Sequence, residues 1–441
     1  MVYDVVVVGA GMSGLQAAYS AKEAGLSITV VEARDRPGGK VWSVPLASGR
    51  GVADLGAAWI NDKLQPRVTA YINQFGLKTI KQPIDGTAIT QVSKDERVEF
   101  PFGIVPDFDP AEKENLIKIR DIIQEASLRK EKPRPEDDAI SLEQYVRNLG
   151  ATEKTVQMAH VWTRAMHGKE ASEESAAYFI DYCRSNHGLL AVRADDNTGG
   201  NYQRLVNGTL DIACGIARLV GEENIFYNEP VVSIHDQEKH VTVITTTGKA
   251  FTAKKVIISI PSAMFRELTF KPQLPARLKE ITDNATLGHY NKAIVCYDRP
   301  CIARDSSVPE RGLYALTCFV NGKPGEKWSR LRPHNRRRAV LEQLADVYKV
   351  GPESELWRPI EIFDQVWQDE KYSRGALAPI PAIGHYTKFA DVYGKPMANI
   401  HFVGTEYSNH WKGYMEGALT SGDMGAQEVI QALSKVSRAH L

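Results

Sequence analysis

An α/β chain that opens on a nucleotide-binding βαβ unit is predicted by three observations. An all-apolar strand, Val5 to Val8, runs straight into Gly9-Ala10-Gly11-Met12-Ser13-Gly14. A helical pattern through Leu15, Ala18 and Tyr19 follows, and a second strand, Ser27 to Val31, ends in the acid Glu32. Strands and glycine-flanked turns of the same kind return late in the chain. The first domain is therefore expected to be discontinuous and Rossmann-like, with a second, more helical part inserted into it.

Each glycine of the opening turn has a separate task. Gly9 allows the tight turn, Gly11 lets the backbone approach a pyrophosphate, and Gly14 lets helix and strand pack closely. The helix starting at Met12 and Ser13 aims free N–H groups and its positive dipole end at phosphate. Glu32 follows Gly14 by 18 residues, where a carboxylate accepts ribose hydroxyls. An acid there favours a free ribose over a 2′-phosphate, hence FAD or NAD rather than NADP.

Composition narrows the class. The 441 residues suit two domains or one large discontinuous pair, and 43% hydrophobic with 24% charged residues fits an ordinary globular enzyme. Lys plus Arg equals Asp plus Glu, 54 each, which argues against a nucleic-acid binder. No signal peptide is expected, because the chain starts on its first strand, and no apolar run reaches the ~20 residues of a membrane-spanning helix. Five scattered cysteines (Cys183, Cys214, Cys296, Cys301, Cys318) show no metal spacing, so a reduced intracellular setting without a metal is expected.

Beyond Glu32, Ala33-Arg34-Asp35-Arg36-Pro37-Gly38-Gly39-Lys40 forms a second backbone loop able to lie along a cofactor. Small residues in Asp54-Leu55-Gly56-Ala57-Ala58-Trp59 let the chain pass close to a flat ring. A cofactor gripped again downstream favours FAD over the shorter NAD. Short extended pieces broken by prolines are expected over 81–110, and an amphipathic helix over 111–130 with Leu116, Ile119, Ile122 and Ile123 on one face. Lys130 to Asp138 reads as a solvated linker, and Ser141 as the start of a capping box. Residues 196–210 cross back into the first domain, followed by a helix over Leu210 to Val220. Strands are expected at Pro230 to Ile234, His240 to Ile244, Ala250 to Ala253 and Lys255 to Pro261. Another strand is expected over 288–298 around Lys292, and a helix over 334–345, whose Arg336-Arg337-Arg338 is read as a solvated helix end. The final stretch gives a Pro-rich turn from Pro379 to Pro381 and a strand ending Gly404-Thr405-Glu406. A closing helix opens at Trp411-Lys412-Gly413-Tyr414-Met415.

These motifs together give the chain a family resemblance. VVVVGAGMSGL with Glu32, EARDRPGGK, DLGAAW, PVVSI, VIISIP, LGHYNK, YSRGA and FVGTEYSNHWKGYMEGAL, in this order, resemble the flavin-containing amine oxidases, the monoamine and polyamine oxidase group. The likeness spans nearly the whole chain and sits nearest the soluble fungal-type members with non-covalent FAD. It implies the amine oxidase fold: an FAD-binding domain of residues 1–72, 206–278 and 371–441, and an α+β substrate domain, a mixed sheet with helices, of 73–205 and 279–370. It also implies that an amine and O2 become an aldehyde or ketone, ammonia and H2O2, with rate rising from about pH 6 to 9 as the amine loses its proton.

The residue assignments follow from the same resemblance. The turn glycines, Glu32, Arg34 and Gly38 to Lys40 match cofactor contacts, although Lys40 stands where the family usually has Arg and so lacks a bidentate fork. Val231 matches a backbone contact to the adenine, and Pro261, Gly404, Thr405, Glu406, Gly413 and Met415 fall in FAD-contacting segments. Lys292 matches the lysine that holds a water against the flavin. Ala376 stands where mammalian-type members carry the flavin-linking cysteine, so non-covalent FAD is expected. Tyr414 matches one wall of an aromatic cage, while Leu377 replaces the other; Trp367 and Trp411 are candidates for further walls. Charges in Arg193, Asp195 and Asp196 at the expected mouth suit a substrate with a polar tail.

The alternatives left open are an L-amino-acid oxidase using Arg193 or Arg184, a polyamine oxidase, a carotenoid-type desaturase, or a non-catalytic flavoprotein scaffold. A homodimer is compatible with the chain. Ala439-His440-Leu441 resembles a C-terminal peroxisomal address, so a peroxisomal location is expected, otherwise a cytoplasmic one; imaging a tail-deleted chain checks this.

Overall fold

The computed structural model describes residues 1–91, 96–299 and 306–439. Cys301, His440 and Leu441 lie outside the described residues, as does the side chain of Arg193.

The apolar run at the start becomes the strand Val2–Val8, whose residues Val5 to Val7 are fully buried. It pairs in parallel with Ile28–Val31 on one side and with Ala250–Ile258 on the other. Burial on both faces explains why this run is continuous rather than alternating. The strands Ala250 to Ala253 and Lys255 to Pro261, expected as separate, are one strand, Ala250–Ile258. Its first half pairs antiparallel with Val241–Thr245 and its second half pairs in parallel with Ile400–Phe402. The eight-stranded sheet is completed by Ile225–Phe226, Val231–Asp236 and Thr269–Lys271.

Helices cover this sheet. Met12–Glu23 packs against Met415–Ala439 so closely that a Cβ on Gly422 would lie 2.2 Å from the Ser13 carbonyl. Leu210–Val220 buries Ile212, Ile216 and Val220 in the same core.

Two further components lie outside this sheet. Pro110–Leu128, Leu142–Asn148, Glu153–His167 and Ala176–Ser185 form a helical cluster around Ile119, Ile123, Phe179 and Trp162. The amides of Glu112, Gln144, Thr155 and Tyr178 donate to the N-cap side chains of Asp109, Ser141, Thr152 and Ser175. The capping box at Ser141 is half formed, because the Gln144 amide turns to Asn148 instead. Separately, Tyr290–Tyr297 is the middle strand of an antiparallel sheet between Tyr314–Asn321 and Glu361–Val366.

Two further expectations are corrected. Lys130 to Asp138 is no mere linker: Pro135–Asp138 is a short helix, and the fully buried Asp138 accepts the Thr387 amide and hydroxyl, both at 2.8 Å. A carboxylate able to cap a remote turn is indistinguishable by composition from its solvated neighbours. Pro379 lies inside the strand Ala376–Ile380, paired only with Thr286–Gly288, rather than in a turn. Such an edge strand tolerates proline because the missing N–H has no partner to serve.

Candidate active site

A cavity of about 530 Å³ runs from the carboxyl ends of the sheet strands to the helical cluster. Its wall begins at the opening turn. Gly9 adopts φ +99°, and Gly14 sits so close that a Cβ would meet the Gly9 carbonyl at 2.0 Å and Ser259 Oγ at 2.6 Å. At Gly11, by contrast, a Cβ would meet nothing within 4 Å, leaving a bare backbone facing open space. Gly14 is accordingly absent from the wall; it supports the turn from behind.

Glu32, only 3% exposed, accepts the Ala10 amide at 2.6 Å and the Arg34 amide at 2.8 Å. Burial pushes its carboxyl up from the ordinary value, while the Arg34 and Ala10 amides and the nearby arginines pull it down. Arg34 donates to Ser373 Oγ at 2.9 Å and pairs with Glu370 at 3.3 Å, while its buried Nε has no partner among the described residues. Ala33, Gly38, Gly39 and Val231 line the same end.

Further along, Lys40 Nζ donates to the Leu377 carbonyl at 2.9 Å. Burial brings the Lys40 ammonium down to about 8, opposed by the Glu406 carboxylate nearby. Glu406 in turn accepts the Ser262 amide at 3.1 Å; burial raises its carboxyl and Lys40 counters that. Met12, Ser13, Pro261, Ala376, Gly404, Thr405, Gly413 and Met415 complete this middle section. Gly56 is forced by packing, since a Cβ there would lie 2.0 Å from the Lys40 carbonyl; Ala57, Ala58 and Trp59 continue from it along the wall.

The inner end is where Lys292 sits, 3% exposed on the middle strand Tyr290–Tyr297. Its Nζ donates to the carbonyls of Asp54 at 2.8 Å and Gly56 at 2.6 Å, and lies 5.2 Å from the Trp59 ring and 5.4 Å from the Phe319 ring. A surface-seeking lysine is thereby excluded. Tyr414 joins it on the wall, its carbonyl held by Thr405 Oγ1 at 3.0 Å, with Leu377 and Trp367. Trp367 Nε1 donates to the Leu55 carbonyl at 3.1 Å.

The structure separates some predicted partners. Trp411 does not line the cavity; it is fully buried and packs edge-on behind Tyr414 at 4.9 Å. Arg184 is turned away, paired with Asp181 and bonded to the carbonyls of Arg129 and Ala126. Asp195 and Asp196 are also off the wall, and Asp196 accepts the Thr198 amide and hydroxyl in a local turn.

Sequence reading missed Tyr182, Tyr290, Phe319 and Met166, which also line the inner end. Tyr290 was within reach, because two residues before Lys292 on a strand is the same face. Phe319 stands opposite Lys292 in the ladder, which only the register shows.

The residues present suit a dinucleotide. A bare backbone at Gly11, a carboxylate and an arginine with a spare buried donor, then an apolar inner chamber, follow one another along one wall. Residues 12–430 of the 441 match the flavin containing amine oxidoreductase family. The chain belongs to that family. This amine oxidase is 28% identical over 458 residues to the probable flavin-containing monoamine oxidase A of Dictyostelium discoideum, with 98% of each chain covered. It is 29% identical over 463 residues to the flavin-containing amine oxidase B of Sus scrofa, covering 98% of this chain and 87% of that one. It shares its fold with a solved putrescine oxidase bound to putrescine (TM-score 0.89, 23% identity, 98% and 99% of the two chains). The cyclohexylamine oxidase of Brevibacterium oxydans matches equally well (TM-score 0.89, 22% identity, 98% and 100%). The chain is thus a flavin-dependent amine oxidase, an oxidoreductase whose family implies FAD as cofactor. No helix among the described residues is long and apolar enough to cross a membrane.

Proposed function

We propose that this enzyme oxidises a primary or secondary monoamine with an apolar substituent, holds its FAD without a covalent bond, and releases H2O2. The observation that carries this reading is the chemistry of the inner chamber, walled by Tyr414, Tyr182, Tyr290, Phe319 and Leu377 around Lys292. A diamine needs a carboxylate for its distal ammonium. The wall carboxylates among the described residues are Glu32, Glu267 and Glu406, and they are engaged by the Ala10 and Arg34 amides, by Arg374 and by the Ser262 amide. An α-amino acid needs an arginine. Among the described residues those on the wall, Arg34 and Arg374, are tied to Glu370 and Glu267.

Bound FAD supplies a two-electron acceptor for the amine's α-C–H bond and passes those electrons to O2. The protein's part is to position, desolvate and exclude water. The faces of Tyr414 and Tyr182 guide the neutral amine, and Leu377 opposite them leaves a half cage with room for a bulky group. Lys292 would hold a water against the flavin. Residues 1–72, 206–278 and 371–441 would grip the cofactor and supply every strand of the eight-stranded sheet, while 73–205 and 279–370 supply Tyr182, Lys292, Phe319 and Trp367. A peroxide-release screen checks the substrate class: cyclic and branched apolar monoamines are expected to turn over, and turnover of diamines or amino acids in their place would refute it.

Non-covalent attachment is supported by the buried Ala376 and by the absence of any cysteine or histidine among the described wall residues. Acid precipitation is expected to leave the yellow colour in the supernatant. Colour that stays with the pellet means a covalent link.

A further inference from the structure

Behind the tyrosine wall lies a buried acid–base pair that the reaction above does not use. His167 closes the helix Glu153–His167 and is 4% exposed, and its Nδ1 lies 2.6 Å from Oε2 of Glu174, which is 0% exposed. The His167 ring stands edge-on to Tyr182, with centroids 4.2 Å apart and planes at 75°. Tyr182 lines the chamber, and its hydroxyl is hydrogen-bonded to Tyr414. The chain Glu174–His167–Tyr182–Tyr414 is therefore continuous from a fully buried carboxylate to the face that meets the amine.

Stability alone is a poor reason for this pair. Replacing a buried ion pair by apolar residues of similar volume is often neutral or stabilising. Three buried polar atoms around it, His167 Nε2, Glu174 Oε1 and the Tyr178 hydroxyl, also have no partner among the described residues. A merely structural contact is a weak return for so many unmatched groups.

We propose that Glu174 and His167 are positioning residues for the amine-binding wall: Glu174 orients the His167 ring, whose edge fixes the Tyr182 ring and, through its hydroxyl, Tyr414. This rests on the monoamine oxidase reading above. The carboxylate holds the imidazole in one orientation, and the close ring contact passes that constraint to the Tyr182 ring. The other groups around the pair are Tyr178, whose ring is 5.5 Å from His167, and Lys169 and Cys183, which feel the charge of Glu174. Behind Tyr178, Lys412 is paired with Asp181 at 3.0 Å.

The test compares Glu174→Gln, His167→Leu and Tyr182→Phe with the parent holoenzyme. It follows kcat and KM for the best monoamine across about pH 6 to 9, together with flavin content and Tm. The expected result is full flavin content and kcat/KM lowered about five-fold or more, mostly through a raised KM, with the effect of His167→Leu largely absent once Tyr182 is already Phe. Tyr182→Phe removes a single hydroxyl and keeps the test alive if the other variants fold poorly. Variants that change Tm but retain the parental KM, or effects that add independently of Tyr182, would overturn the positioning role. A parent that turns over no amine would instead take down the monoamine reading, and this inference with it.

Discussion

A Lys292→Met enzyme is expected to lose about 100-fold or more in turnover, with most of the loss in the oxygen-consuming half of the cycle. The ammonium is held against two backbone carbonyls, Asp54 at 2.8 Å and Gly56 at 2.6 Å, and over two aromatic faces. This fixes a positive charge and its protons at one point of the inner chamber. Methionine fills a similar volume without either. It also leaves both carbonyls short of a donor, so Tm should fall as well, by the equivalent of about 1–3 kcal/mol. Rapid mixing separates the two effects: colour loss with amine in the absence of O2 should change little, while colour recovery on adding O2 slows. Equal slowing of both halves would assign Lys292 a purely architectural role.

The second large effect separates two glycines that look alike in the motif. Gly14→Ala is expected to cost about 3 kcal/mol or more and to abolish FAD retention, because its Cβ would lie 2.0 Å from the Gly9 carbonyl. Gly11→Ala is expected to leave the apoprotein's Tm near that of the parent, since nothing stands within 4 Å of the added methyl group. Its FAD affinity should nevertheless fall by ten-fold or so, because the methyl occupies space along which the pyrophosphate must lie (about 1.4 kcal/mol per ten-fold). Apoprotein thermal melts combined with flavin titrations check both. An equal loss of Tm in the two variants would contradict this division of labour.

Much of the cofactor end was legible because it is local. Val5 to Val8, the three glycines, Ile28–Val31 and Glu32 form one supersecondary unit, so spacing alone carries the geometry. The loop from Ala33 to Lys40 and the small residues around Gly56 were legible as backbone that can lie along a cofactor, while Val231, Pro261 and Glu406 came from family motifs. The substrate end was legible at Lys292, Leu377 and Tyr414, which the family motif named, and at Trp367, proposed as a further wall. Tyr182 and Met166 sit on amphipathic helices where wall and core residues have the same period, and Phe319 reaches Lys292 only through a strand pairing across 27 residues. Asp138 and the His167–Glu174 pair were silent for a related reason: a charged residue in a polar stretch is read as solvated until its remote partner is placed beside it. The merging of Ala250 to Ala253 with the following strand depends on two different neighbours, one on each half, which local alternation does not encode.

The central claim is that the chamber around Lys292 and Tyr414 presents an apolar monoamine to the cofactor. The measurement that meets it most directly is anaerobic mixing of the yellow holoenzyme with a cyclic apolar monoamine, followed by admission of O2. The predicted result is complete bleaching within the time of turnover, then return of the colour with one H2O2 released per flavin. A holoenzyme that stays yellow with every monoamine, or that bleaches only with a diamine or an amino acid, would contradict the account.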